Sequence, residues 1–278
     1  MEQKDKDIFE QTTKFNTGIK LYMFQTGTIK TKIKFIKMNQ GEEPFEIPVP
    51  WFLIKHPKGD IIIDGGMPIE AAIDKHKHWG SVVEAYDPVM KKSEWCRDQI
   101  KTVNTNPEDI KYVIQTHLHL DHSGAIGHFP NATHITQRLE YDYAFNPDWF
   151  SQPAYIREDF DKPNIRWKFL QGRKTDFYDV HGDGVIKIIF TPGHTPGHQS
   201  VLVNLPKTGH MLFTGDACYT EDHWCDKCLP GLVASSSDAA ESVSKLRKVA
   251  KEHDATVVWG HDPISWKNWK KAPMFYYD

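Results

Sequence analysis

Three histidines and one aspartate crowd into the stretch T-H-L-H-L-D-H-S-G, at His117, His119, Asp121 and His122. Imidazole nitrogens and carboxylate oxygens are the lone-pair donors that borderline divalent cations prefer, so this spacing points first to metal chemistry. The same residue types close three other short apolar runs. Residues 185–190 lead into Thr191-Pro192-Gly193-His194, 210–214 into Gly215-Asp216, and 255–259 into Gly260-His261-Asp262. Glycine directly before Asp216 and His261 lets the backbone turn sharply and approach closely. Either His194 or His198 of T-P-G-H-T-P-G-H-Q-S completes a set of five histidines and two aspartates. That is too many for one tetrahedral zinc. It suits two metals about 3.5–4 Å apart that share a carboxylate and a solvent oxygen.

An isolated histidine is ordinarily a packing or surface residue. That reading covers His56, His76, His78, His128, His134, His181, His210, His223 and His253. It does not cover a cluster that recurs at four strand ends, where a rigid scaffold usually carries its functional groups.

The elements that must position these groups are legible in outline. Strands are expected at 18–24, 31–36 and 49–56, and a turn at 57–60 leads to a further strand ending at Asp64-Gly65-Gly66. Helices are expected at 68–79 and at 87–104, where Asp87 can cap and Pro88 can open the first turn. Next come a strand at 110–116, short strands at 134–136 and 167–170, and a helix at 137–144 between them. Strands at 185–190, 199–203 and 210–214 follow. An amphipathic helix at 235–253 carries Ala239, Val243, Leu246 and Val249 on one stripe, and a strand at 255–259 comes last. The order implies an α/β fold with two sheets in layers and helices outside.

At 278 residues, with 39 % hydrophobic and 26 % charged, the chain is globular and can bury a full core. A net charge of -3 argues against nucleic acid or an anionic membrane as partner. The charged start M-E-Q-K-D-K-D lacks the apolar run of a signal peptide, and no stretch is long enough to span a bilayer. Four cysteines without regular spacing agree with a reducing compartment, so the cytoplasm is expected. Cys225-Asp-Lys-Cys228 lacks a second ligand pair and is read as incidental.

In this order, T-H-L-H-L-D-H-S-G, T-P-G-H-T-P-G-H-Q-S, F-T-G-D-A-C-Y and W-G-H-D closely resemble the metallo-β-lactamase superfamily, and within it the N-acyl-homoserine lactonases. The resemblance implies an αββα sandwich of two mixed sheets, here one domain over 1–278 with pocket-forming insertions near 71–101 and 141–167. It implies two Zn2+, replaceable by Co, Mn or Fe. One would be held by His117, His119 and His194, the other by Asp121, His122 and His261, with Asp216 bridging. His194 is thereby selected over His198, which is left to support the site through hydrogen bonds. The implied reaction is opening of the lactone ring of N-acyl-L-homoserine lactones by hydroxide generated between the metals.

Tyr219, three residues after the bridging aspartate, would donate to the developing oxyanion, although on its own it reads as a packing aromatic. Asp121 would pass a proton to the leaving alkoxide. A fatty-tailed substrate needs an apolar pocket, for which Met23, Phe24, Trp51, Phe52, Trp79, Tyr141, Phe145, Phe150 and Tyr155 are candidates. An aromatic-rich insertion can bury itself against a second copy, so a homodimer is also expected. The alternative is another hydrolase of this fold, such as a glyoxalase-II-like thioesterase, which would use a basic C-terminal patch like Lys267, Lys270 and Lys271.

Overall fold

The computed structural model describes residues 18–278. Seven strands form a first sheet: β1 (Lys20–Lys32), β2 (Pro44–Lys55), β3 (Asp60–Ile63), β4 (Asp87–Val89), β5 (Ile110–Ile114), β6 (Thr133–Gln137) and β7 (Arg166–Leu170). Five form a second: β8 (Phe177–Asp179), β9 (Ile186–Phe190), β10 (Gln199–Leu205), β11 (Gly209–Phe213) and β12 (Thr256–Val258). Their orders are β4-β1-β2-β3-β5-β6-β7 and β12-β11-β10-β9-β8. Both sheets mix parallel and antiparallel pairs.

The apolar runs are continuous because most central strands are buried on both faces. Ile61 and Ile63 of β3 point between the sheets, whereas Ile62 points outward with Trp95 and Ile100. Likewise Val201 and Val203 of β10 face inward, and Leu202 packs outward on Leu246 and Val249 of the helix Ser236–Glu252. Each such side chain stabilises the fold by about 1.5–3 kcal/mol. Ser235 caps that helix by accepting the Asp238 N–H at 3.3 Å. The layers therefore run helix, sheet, sheet, helix.

Two parallel pairings decide where the chemistry lies. Ile63 of β3 sits beside Ile114 of β5, and Phe213 of β11 beside Val258 of β12. The loops that leave these strands consequently start at one edge of the sandwich. Gly260 is required there, because a Cβ would lie 2.6 Å from the Gly215 carbonyl oxygen.

Several elements differ from expectation. β1 ends at Lys32, and residues Ile33–Ile36 form one helical turn instead of a strand. Packing overrides β-propensity in that turn: Ile36 is buried and the Ile33 N–H is held by the Glu43 carbonyl at 3.0 Å. The expected helix at 87–104 is broken. Pro88 instead sits in the edge strand β4 opposite Ile29, a position where its missing N–H costs nothing, and only Cys96–Gln99 is α-helical. The short edge strand β8 was not expected.

Candidate metal centre

Each polar group enters from a different strand end. The β5 exit carries His117, His119, Asp121 and His122, and the β9 exit carries His194. Asp216 follows β11 and His261 follows β12. All seven converge, and they divide into two groups. His117, His119, His194 and Asp216 place ligand atoms within 4.8 Å of one another, as do Asp121, His122 and His261.

Asp216 reaches both groups. Its Oδ2 lies 3.2 Å from His194 Nε2 and 3.5 Å from His117 Nε2. Its Oδ1 lies 3.1 Å from His261 Nε2 and 3.4 Å from His122 Nε2. Asp121 turns one oxygen to each of the last two, at 3.6 Å from His122 Nε2 and 3.5 Å from His261 Nε2.

The outer ring nitrogens fix the tautomers. His261 Nδ1 donates to the Pro48 carbonyl at 2.8 Å, His194 Nδ1 to the Leu232 carbonyl at 2.9 Å, and His122 Nδ1 to Asp64 at 2.9 Å. The Thr116 hydroxyl donates to Asp64, so it accepts from His117 Nδ1 at 3.0 Å. Four imidazoles thus present bare Nε2 lone pairs inward. His122 and His261 Nε2 stand 3.3 Å apart, as do His117 and His194 Nε2, and His194 Nε2 is 2.9 Å from His119 Nδ1. Lone pairs facing each other at this range repel unless a cation lies between them. Tetrahedral zinc at about 2.0–2.1 Å from each nitrogen sets neighbouring ligands about 3.3 Å apart.

The charge balance agrees. Asp64 and Asp216 are buried, Asp121 nearly so, and their close charged partners are histidines, not lysine or arginine. Asp216 Oδ1 is buried without a hydrogen-bond donor. Uncompensated buried carboxylates are costly, so the donor set fits divalent cations.

The sequence comparisons bear on this geometry. A family model described as the metallo-beta-lactamase superfamily matches residues 45–261. The chain belongs to that superfamily. The N-acyl homoserine lactonase AttM of Rhizobium radiobacter is 59% identical over 261 residues, 94% of this chain and 99% of that protein. An N-acyl homoserine lactonase from a Bacillus species is 34% identical, covering 84% of this chain and 88% of its own length. A solved N-acyl homoserine lactone hydrolase with N-hexanoyl-L-homoserine bound at its catalytic metal centre superposes with a TM-score of 0.82. That match is at 28% identity and covers 92% of this chain and 98% of that one.

This metallo-beta-lactamase-fold chain builds a cavity of about 460 Å³ above the centre. Asp121, Asp216, His119 and His261 form its floor, and Tyr219 stands in its wall. The Tyr219 hydroxyl is 3.2 Å from His194 Nδ1. Burial, with Asp216, Tyr86 and Asp121 nearby, pushes that phenol well above its ordinary value, so it keeps its proton and can donate. The remaining walls are mostly apolar: Ile29, Phe35, Ile36, Ile47, Val82, Tyr86, Leu120, Phe150 and Leu232.

Of the nine pocket candidates drawn from sequence, only Phe150 lines this cavity. Met23, Phe24, Trp51 and Phe52 lie in the sheet cores, and Trp79 belongs to the buried cluster that also holds Tyr219. Tyr141, Phe145 and Tyr155 form a separate cluster around Leu118. Apart from Ile29 of β1 and Ile47 of β2, the lining comes from helical turns and loops, where strand periodicity carries no signal.

His198 lies beside the centre. Its Nε2 accepts the Asp216 N–H at 3.0 Å, while Nδ1 donates to Thr191. The missed residue is Asp64. Its Oδ1 accepts the Thr116 N–H at 2.7 Å, and its Oδ2 holds His122. A non-glycine residue at φ 65 directly after a strand is the kind of position that Asp-Gly-Gly foreshadows. Among the described residues, no helix is long and apolar enough to cross a membrane.

Proposed function

We propose that this protein opens the lactone ring of N-acyl-L-homoserine lactones, using two zinc ions, to give N-acyl-homoserines. The observation that carries the reading is Asp216, which turns one oxygen to each ligand group at the floor of an apolar cavity walled by Tyr219. The named activity of the relatives agrees with it.

His117, His119 and His194 would hold one ion, Asp121, His122 and His261 the other, and Asp216 both. Bound there, the ions supply Lewis acidity and bring the pKa of water towards about 7. The rest is work for the chain's own side chains. Tyr219 donates its O–H to the lactone carbonyl oxygen as negative charge develops. Asp121, 13% exposed on its side chain, faces the cavity, takes a proton from the attacking water and passes it to the leaving ring oxygen. Phe35, Ile36, Val82 and Phe150 surround the acyl tail and exclude water.

We read the chain as one domain. Ser81, Val82 and Ala85 from the 71–101 insertion and Phe150, Pro153 and Ala154 from the 141–167 insertion support the pocket role of both. Four free cysteines support a cytoplasmic site of action. The homodimer belongs to the same proposal. Of the three lysines the thioesterase alternative would use, Lys271 is turned inward, its Nζ engaged by the Trp266 and Trp269 carbonyls at 2.7 and 2.9 Å, which weakens that reading.

Pure protein incubated with short- and long-chain acyl-homoserine lactones, nitrocefin and S-lactoylglutathione tests the reading. Lactone opening that a chelator abolishes is expected. Turnover of either other substrate with the lactones left intact would sink it.

A further inference from the structure

Glu140 lies on the helix Arg138–Phe145 with 0% exposure, and no step of the reaction uses it. Its carboxylate ends between the two loops that carry His117, His119 and His194. Oε1 accepts the Leu118 N–H at 3.0 Å and the Tyr155 hydroxyl at 3.1 Å. Oε2 accepts the Thr195 hydroxyl at 2.5 Å and the Gly197 N–H at 3.3 Å. One oxygen therefore serves each loop. Leu118 separates His117 from His119, and Thr195 directly follows His194. Four neutral donors match the roughly four acceptor sites of an ionised carboxylate.

Two further contacts make the fit tight. A Cβ at Gly197 would lie 2.2 Å from the Glu140 backbone nitrogen, so this loop is pressed directly onto the helix. The Tyr155 ring, held by Glu140 through its hydroxyl, stands edge-on to His119 with centroids 4.6 Å apart. None of the four hydrogen bonds reaches Asp121, His122 or His261. That group leans on Asp64 through His122, a buried carboxylate that also reaches His117 through the Thr116 hydroxyl.

We propose that Glu140 is a positioning residue for the metal held by His117, His119 and His194. It sets the separation of the two ligand loops, and its loss weakens that position while sparing the other. The inference rests on the two-metal reading of the centre.

E140Q is the near-isosteric test. The amide keeps one acceptor oxygen but turns an NH2 group toward the Leu118 or the Gly197 N–H, leaving one loop untied. Metal-free wild type and E140Q are titrated with Zn2+ against a chromophoric chelator, with Co2+ absorption as a second readout of ligand geometry. We expect wild type to bind two equivalents. In E140Q one equivalent should weaken by about 10–100-fold, the usual effect of losing a partner behind the ligands, with its Co2+ bands altered and the other equivalent unchanged.

Wild type failing to bind two equivalents would overturn the two-metal reading and this inference together. Two equivalents at unchanged affinity in E140Q would overturn this inference alone. So would equal weakening of both with a lowered apo-protein melting point, which marks a purely structural role. If E140Q does not fold, Y155F removes a single donor while keeping the ring. A smaller loss confined to one equivalent supports the proposal, and unchanged binding overturns it.

Discussion

Asp64 Oδ2 lies 2.9 Å from Nδ1 of His122, and the same oxygen accepts the Thr116 hydroxyl at 2.9 Å. The carboxylate therefore orients one ligand directly and a second, His117, through that hydroxyl. Its backbone extends the pairing of β3 with β5, since the Asp64 N–H donates to the Ile114 carbonyl at 2.8 Å. An aspartate just beyond the strand thus couples sheet register to ligand orientation.

D64N keeps the shape of this residue but replaces an acceptor by a donor. His122 Nδ1–H then loses its charged partner, and the metal affinity of that position should drop about 10–100-fold. Lactone hydrolysis followed against free Zn2+ checks this: activity should recover at high metal. Wild-type dependence on metal would discard the role.

Y219F removes only the phenolic hydroxyl from the cavity wall. Loss of one oxyanion donor typically lowers kcat by about 10²–10³-fold. Metal content should stay at the wild-type value, because the hydroxyl is not one of the seven converging groups. Steady-state kinetics beside metal analysis decides the matter. An unchanged kcat would leave Tyr219 a packing residue.

His134 supplies a pH dependence remote from the centre. Burial pulls its pKa down to about 4, whereas an unfolded-chain histidine titrates near about 6.5. The folded state therefore demands the neutral ring, and that contribution is complete above pH 6.5. It is lost as pH falls from there through the folded value of about 4. H134Q cannot take up the proton, so the stability gap between wild type and variant should narrow from pH 7 to pH 4.5. Urea unfolding of both proteins across that range measures it, and a constant gap would refute the assignment.

The chemistry was legible before the fold because divalent metals accept few side-chain types. His117, His119, Asp121, His122, Asp216 and His261 stood out by type, by spacing and by their places at strand ends. The two-sheet layering was legible from the order of the elements along the chain, strands, helices, strands, helix and strand. The superfamily matches the resemblance carried by those motifs.

What tertiary structure alone decided is which side chains face the substrate cavity and which hold the ligands in place. Trp51 and Phe52 are aromatic and adjacent, yet β2 buries one on each face of its sheet. Phe35, Val82 and Tyr86 reach the cavity from turns whose sequence pattern predicts no direction. Pro88 favours a helix start in the sequence because its preference for a first turn is local, while its pairing beside β1 is a contact between distant segments. Asp64 and Glu140 stayed hidden for the same reason. A single carboxylate has no spacing to betray it, and its role exists only once the chain has brought its partners to it from 52 and 55 residues away.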